Sequence, residues 1–505
     1  MSTQGQTQGG TAADAYAVVI GLEVHVQLET DTKIFCGCST EPAEEPNTNV
    51  CPVCLGLPGA LPVLNEAAVE AAIKVTKAID GSIPDVTRFH RKNYYYPDLP
   101  KNFQITQYED PICQDGELTV EHEGERRTID IRRAHLEEDP GSMQHVGGSI
   151  DTAEYTRVDY NRAGTPLMEI VTEPDFRAPG EVRAFLAKLT EVLEYLDVFD
   201  AGRDGSLRVD ANISLVEADA VDADGDVDPA ALETANRTEV KNISSHKGAE
   251  KALAYEVTRQ RNALERGRAI DQETRHWDEA KGITVSMRSK EEEKDYRYFE
   301  EPDIPPLSVA DWTEDIEIPE LPDARRERFT AEYDLSAEAA EKLTVTREVA
   351  DFYEAIASDF DPALAARWIA DTLLGELNYR DMTMADIDDR LGEIRRLIEL
   401  VDEEAITEKN AHEVVLRTML DEGVDPDTVV EREDLGKTDT GAVEAAVRTA
   451  IEEHPEAVAD YHAGDDGAIN YLVGQVMQAT GGSADPGEVN ALLREALTEE
   501  QPRNA

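Results

Sequence analysis

The sequence predicts an α+β protein: a largely antiparallel sheet domain with an embedded zinc-ribbon-like loop, then an all-α helical domain and a small helical tail domain. Three observations predict it. Two long segments alternate strictly between apolar and polar residues, four cysteines stand at metal-ligand spacing, and past residue 308 alternation gives way to Ala-, Leu- and Glu-rich helical patterns. The expected divisions are a mobile polar tail at 1–15, the sheet domain at 16–308, a helical domain at 309–405 and a helical tail at 406–505.

Element by element, AVVIGLEVHVQL (17–28) reads as a half-buried strand with Val18, Ile20, Leu22, Val24, Val26 and Leu28 on one face and Glu23, His25 and Gln27 on the other. Asn65 can cap a helix striped by Val69, Ile73, Thr76 and Ile79, with Gly81 just past its end. Residues 181–197 place Val182, Phe185, Leu186, Leu189, Val192, Leu193 and Leu196 at helical spacing. LRVDANISLV (207–216) repeats the strand pattern, with Arg208, Asp210, Asn212 and Ser214 outward. The acidic, small-residue run that follows reads as a solvated surface insertion. Three prolines in EEPDIPPL (300–307) mark a boundary, and AGDDGA (463–468) marks a link inside the tail.

Composition bounds the function. The chain has 505 residues with 49 Lys+Arg against 107 Asp+Glu, a formal net charge of −58, yet 40% hydrophobic content, which suits a globular protein rather than a disordered acidic tail. Such a surface suits concentrated salt, where screening quiets self-repulsion, so the charge does not exclude a nucleic-acid partner. No apolar run is long enough for a membrane span and the start lacks a secretory pattern, so a cytoplasmic location is expected.

Cys36, Cys38, Cys51 and Cys54 form Cys-x-Cys, twelve residues, then Cys-x-x-Cys, which is spacing for a closed, structural zinc site; unligated thiols are the plain alternative. In RFHRKNYYYPDLPKNFQITQ (88–107), Arg88, Arg91, Lys92 and Lys101 face the single acid Asp98 among three consecutive tyrosines. That mixture suits phosphates and unstacked bases, and equally a strand whose tyrosines pack and whose cations pair with nearby acids. A third set holds hard donors for Mg²⁺: Glu23 with His25, Glu137 to Asp139, Glu169 between apolar neighbours, and Asp210. Against it stands a merely salt-adapted surface. No phosphate loop of the Gly-x4-Gly-Lys-Ser/Thr type, dinucleotide fingerprint, HExxH or Gly-x-Ser-x-Gly elbow is present.

Taken together, VVIGLEVHVQL, TNVCPVCLGLPGALPVLN, RKNYYYPDLPKNFQITQ, HLEEDPGS, VDYNRAGTPLMEIVTEPD, DGSLRVDANISL, TEVKNISS, QETRHWDEA, DYRYFEEPDIPPL and YLVGQVMQATGGSADPGEVNALLREAL resemble, in order, the GatB family, the B subunits of aspartyl/glutamyl-tRNA(Asn/Gln) amidotransferases. The resemblance implies a cradle-like catalytic domain that uses ATP to phosphorylate the side-chain carboxylate of misacylated Asp-tRNA or Glu-tRNA and completes amidation with ammonia. It implies a heterotrimer with a glutaminase (amidase) chain and a small third chain, and a tail that grips tRNA. It further implies that Glu23, His25, Glu138 and Glu169 hold Mg²⁺ with Asp210 in support, and that Lys92, Tyr94 and Lys241 contact phosphates or the aminoacylated end. The acidic run after Leu215 departs from the family's short Gly-Gln-containing segment. A reading of a different class is a zinc-ribbon scaffold that holds tRNA without catalysis of its own.

Overall fold

Strand β1 (Tyr16–Gln27) is flanked by β6 (Pro166–Thr172) and β7 (Leu207–Glu217) within one 11-stranded sheet, seen in a computed structural model that describes residues 15–147, 153–203, 205–222, 225–288, 296–436, 440–465, 467–481 and 484–499. Except for Ala15, the expected tail at 1–15 lies outside the described residues, as do Ala223 and Asp224 of the acidic run and Asp466 of the tail link. The other strands are β2 (His90–Asn93), β3 (Phe103–Thr106), β4 (Cys113–His122), β5 (Glu125–Glu138), β8 (Thr238–Ile243), β9 (Glu273–Asp278), β10 (Ile283–Arg288) and β11 (Phe299–Glu300). Their order is β10-β9-β8-β7-β1-β6-β5-β3-β2-β11, with β4 also paired to β5. Every pairing is antiparallel except β8 with β9. Parallel neighbours need a long crossover, and helix α3 (His246–Glu265) supplies it.

The apolar residues of β1 pack under α1 (Glu66–Ala78), α2 (Pro179–Tyr195) and α3, in one core with Ile73, Phe185, Leu189 and Leu253. Each such side chain, buried whole, stabilises the fold by roughly 1.5–3 kcal/mol. Asn65 caps α1 as expected, its side chain accepting from the Ala67 amide at 3.0 Å. The left-handed residue after α1 is Asp80, not Gly81; a Cβ at Gly81 would sit 2.5 Å from the Cys113 sulfur, so the glycine answers close packing.

The two strands are less half-exposed than their alternation suggests. Val19 and Ser214, on the polar face, are buried, because the segment around the 229–234 helix covers them. The chain past the prolines stays on this unit, which extends to Pro322: Leu307–Ser308 pairs with Val86–Thr87, and the Lys77 ammonium donates to the Thr313 and Ile316 carbonyls.

The second compact unit, from Asp323 on, is helical. Helix 426–433 packs on helix 391–402, tied by Arg396 to Asp427 at 3.0 Å. A separate apolar core gathers Val443, Val447, Ile469, Leu472, Val489 and Leu493 from the last helices. Two π-helical turns, Arg367–Leu373 and Ala411–Leu416, flank Glu376, which binds Arg380, His412 and Arg417. No helix among the described residues is long and apolar enough to cross a membrane.

Candidate functional site

Alternation along β1 sends Glu23, His25 and Gln27 to the face away from the helices, and register supplies their neighbours. His25 lies opposite Glu169 on β6 and Arg208 on β7; Glu169 lies opposite His135 on β5; Glu23 lies opposite Asp210 on β7. Directly opposed side chains on one face fall within contact distance. His25 Nε2 is 3.8 Å from Glu137 Oε1 and 3.7 Å from Glu169 Oε2, while His135 Nε2 is 3.2 Å from Glu169 Oε2. One donor atom each from His25, Glu137 and Glu169 lies within 4.8 Å of the others, a group able to hold a metal ion.

Opposed charges shape this face. Burial pushes the Glu169 carboxyl up, but the His135 and His25 rings and the Lys92 ammonium outweigh it and hold the group well below the usual carboxylate range. Glu23, whose Oε1 accepts from Asn212 Nδ2 at 3.1 Å, is pushed up by burial and by the carboxylates of Glu169 and Asp210. Burial lowers Lys241, yet Asp210, 2.7 Å from its ammonium, and Glu239 raise it overall. Lys92 is likewise raised against burial, by Tyr298, Glu137 and Glu169.

The basic island of β2 resolves into two kinds of residue. Arg91 forks onto the buried Glu301 at 2.6 and 2.8 Å, Arg88 pairs with Asp110, and Lys101 pairs with Glu138, so these three hold the strand in place. Lys92 makes no ion pair or hydrogen bond among the described residues and instead lies 4.9 Å from the centre of the Tyr296 ring and 5.7 Å from that of Tyr94. Tyr298, stacked on Tyr108 at 4.1 Å, completes this aromatic wall. Tyr94 bonds Gln104 at 3.3 Å.

Glu138 is placed apart from the cluster. Successive strand residues alternate, so Glu138 shares the side of Leu136 and takes the Lys101 ammonium at 2.5 Å and the Ile105 amide at 2.8 Å, while Glu137 turns toward His25. Asp139, also buried, is clamped by Gln27 at 2.7 Å, Arg208 at 2.7 Å and Arg162 at 3.3 Å. A pocket of about 340 Å³ opens beside Glu23 and Asn212, lined by Leu232 near the end of the acidic run and by Ala235 and Arg237 just past it, so the end of that run is more than solvated surface.

Cys36, Cys38, Cys51 and Cys54 converge in one loop, their sulfurs within 4.8 Å of one another, and can hold a metal ion. The Cys51 amide donates to the Cys54 sulfur at 3.1 Å. The hydrogen bond with Cys36, with help from that amide and the Lys33 ammonium, pulls Cys54 down to about 4, while Cys36 is pushed up. Cys113 is a buried thiol elsewhere in the core.

Residues 18–314 match the GatB/GatE catalytic domain family, and residues 351–497 match the GatB domain family that follows it. The chain belongs to the GatB family. It is 74% identical to a protein of Natronomonas pharaonis over 95% of this chain and 97% of the relative, and 69% identical to one of Haloarcula marismortui over 97% and 99%. A Methanospirillum hungatei protein is 52% identical over 95% of this chain and 98% of its own. All three are named as the B subunit of an aspartyl/glutamyl-tRNA(Asn/Gln) amidotransferase.

In this GatB-family chain, then, sheet register brings together Glu23, His25, Glu169, Asp210, Lys241 and Lys92 from the expected set, and sets Glu138 apart. Sequence reasoning assigned no part to His135, Arg208, Tyr296 or Tyr298, and the structure places Asp139, expected among the hard donors, against Arg208, Arg162 and Gln27 instead. His135 carries a readable signal: in HLEED, His135 and Glu137 alternate with Leu136, so they must share the polar face.

Proposed function

We propose that this chain activates and amidates misacylated Asp-tRNA(Asn), Glu-tRNA(Gln) or both, and that the reaction occurs on the polar face of the sheet. The observation that carries this is the convergence of His25, Glu137 and Glu169 from three strands, between the ammonium groups of Lys92 and Lys241. A carboxylate is a poor acyl donor, because an oxide would have to leave. Transfer of the terminal phosphoryl group of ATP to the Asp or Glu side chain gives an acyl phosphate and ADP; ammonia then attacks the acyl carbon, phosphate leaves, and the amide sheds a proton.

Carboxylate oxygens suit Mg²⁺, and Glu137 and Glu169, with the His25 ring between them and Glu23 and Asp210 beside them, would hold it. When bound, that ion neutralises the charge that builds on phosphate oxygens. Lys92 and Lys241 add fixed positive charge on either side, and Tyr94 and Tyr296 shield Lys92 from water. Glu169 stays ionised, because His135 and His25 face it, so it remains an acceptor throughout. Glu138 positions Lys101 and the start of β3.

The thiol loop would hold structural zinc. Two observations support this. Tetrahedral Zn–S bonds of about 2.3 Å set sulfurs roughly 3.8 Å apart, and Cys51 and Cys54 sulfurs stand at 3.9 Å. Beside them the ammonium of Lys33, fully buried, donates to the carbonyls of Asn49 at 2.8 Å and Tyr160 at 3.3 Å and has no carboxylate in reach among the described residues. A buried cation needs an anion, and a tetrathiolate around Zn²⁺ is one.

Ammonia would come from the amidase (glutaminase) chain of a heterotrimer completed by a small third chain, in a cytoplasm of high salt that matches the net charge of −58. The test is ADP formation by the assembled enzyme. Charged tRNA should elicit ADP where uncharged tRNA does not; ADP release indifferent to charging would refute the proposal.

A further inference from the structure

A cleft of about 650 Å³ opens at one end of the sheet, between the face of α2 that carries Arg183, Ala187 and Thr190, residues 199–203 and 205–206 that lead into β7, and the first turn of α3. None of the residues of the polar-face cluster lines it. Its walls carry Arg183, Arg203, His246 and Lys247 with the hydroxyls of Ser206 and Ser244. Not one of its 14 described lining residues is acidic, in a chain where 107 of 505 residues are. On composition alone about three acids would be expected among 14 residues, so the described lining is basic within an anionic surface.

Two of the three Arg and Lys cations are each shared with one acid from beyond the lining, and the third is not. Arg183 reaches Glu250 at 3.2 Å and Arg203 reaches Glu41 at 3.5 Å, each from outside the lining. Lys247 makes no ion pair and no hydrogen bond among the described residues. His246 is tied to Thr190 Oγ1 at 3.0 Å, which fixes the first turn of α3 against α2. The cleft is also joined to the site by the chain itself. Ser206 and Leu207 line it, and the next residue, Arg208, reaches Asp139 at 2.7 Å, which Gln27, at the end of β1, also holds.

We propose that this cleft binds a backbone phosphate of the tRNA, holding the acceptor strand as it rounds the end of the sheet to deliver its 3′ end to the polar face. The inference rests on the tRNA reading above. Arginine and lysine around a hollow with hydroxyls are the ordinary contacts of a phosphodiester, which position a nucleic acid without reading its sequence. The cleft therefore contributes to affinity for tRNA whatever amino acid it carries.

The experiment compares the assembled enzyme with its Arg203→Ala/Lys247→Ala and Lys247→Arg variants, measuring tRNA binding by anisotropy over a series of KCl concentrations and ADP formation with charged tRNA. The double variant should weaken tRNA on the order of tenfold and flatten the salt dependence by about one to two in log–log slope. KM for tRNA should rise in step while kcat holds, and Lys247→Arg should behave as wild type. A double variant with an unchanged melting curve, tRNA affinity and slope overturns the cleft. So does loss of inorganic phosphate binding in that variant with tRNA affinity intact, since the cleft would then serve free phosphate only. Failure of the wild type to bind tRNA would instead sink the tRNA reading, and the cleft with it.

Discussion

The molecule gathers potential metal ligands in two ways, and the contrast explains which of them can be read from sequence. The thiol site is local: Cys36, Cys38, Cys51 and Cys54 lie in one loop, and their spacing alone announces them. The polar-face cluster is non-local: His25, Glu169 and Glu137 come from β1, β6 and β5, and nothing but cross-strand register makes them neighbours. A closed set of four thiolates leaves no open position and suits a structural role, whereas an imidazole with carboxylates leaves positions for water and phosphate. If this division is right, damage to the first should loosen a loop and damage to the second should stop a reaction.

The largest effect is expected at the centre of the polar face. Glu169→Gln or His25→Ala should lower kcat for tRNA-dependent ADP formation on the order of a thousandfold with little change in melting temperature. An enzyme that keeps its rate would break the contrast at once. Next, Glu137→Gln and Glu138→Gln should separate: the first should lose roughly a hundredfold in kcat, the second less than about tenfold, because Glu138 serves Lys101 and the Ile105 amide. Its cost should show as a lower melting temperature. Equal effects, or the reverse order, would return Glu138 to the metal.

The thiol loop should respond differently. Chelation under reducing conditions, or Cys51→Ser, should speed amide exchange across residues 30–60 and across 158–164, which the loop clasps through Asn47 and Asn49 to Asp159 and Asn161 at 2.9 and 2.8 Å. A few degrees in melting temperature should be lost, and kcat should fall far less than for Glu169→Gln. Exchange confined to the cysteines would argue against any coupling to the neighbouring segment.

The smallest effect concerns stability in the helical unit and serves as a baseline. Burial pushes Glu376 up, but Arg380, His412 and Arg417 hold it down to about 2. A carboxyl held low stabilises the fold above its unfolded value of about 4.5, and that stabilisation is lost as pH falls through the folded value. Partial exposure of His412 and Arg417 screens the pairs. Glu376→Gln should therefore cost about 2 kcal/mol at neutral pH and progressively less toward pH 2, measured by denaturant melts of the full chain. A difference independent of pH would refute the ion pairs as its source.

The legible parts of the fold were those set by period and spacing. Alternation gave β1 and β7 their two faces, the stripe from Val182 to Leu196 gave α2, and Asn65 gave the cap of α1. Burial of the second face was not legible, because what covers Val19 and Ser214 is the segment around residues 229–237, which begins inside the acidic run read as solvated surface. At the site, Glu23, His25, Glu169 and Asp210 could be found as polar members of alternating strands. Tyr296 and Tyr298 could not, since they reach Lys92 and Tyr108 from about 200 residues away along the chain. The choice between Glu137 and Glu138 was open to alternation all along, with Leu136 marking the side that Glu138 shares.

The most direct test is Mn²⁺ binding followed by electron paramagnetic resonance, since this ion prefers carboxylate oxygens over thiolates. Wild type and Cys51→Ser should bind Mn²⁺ alike, and Glu169→Gln and Glu137→Gln should lose it. Mn²⁺ retained by both glutamine variants would contradict the assignment of the polar face as the catalytic metal site.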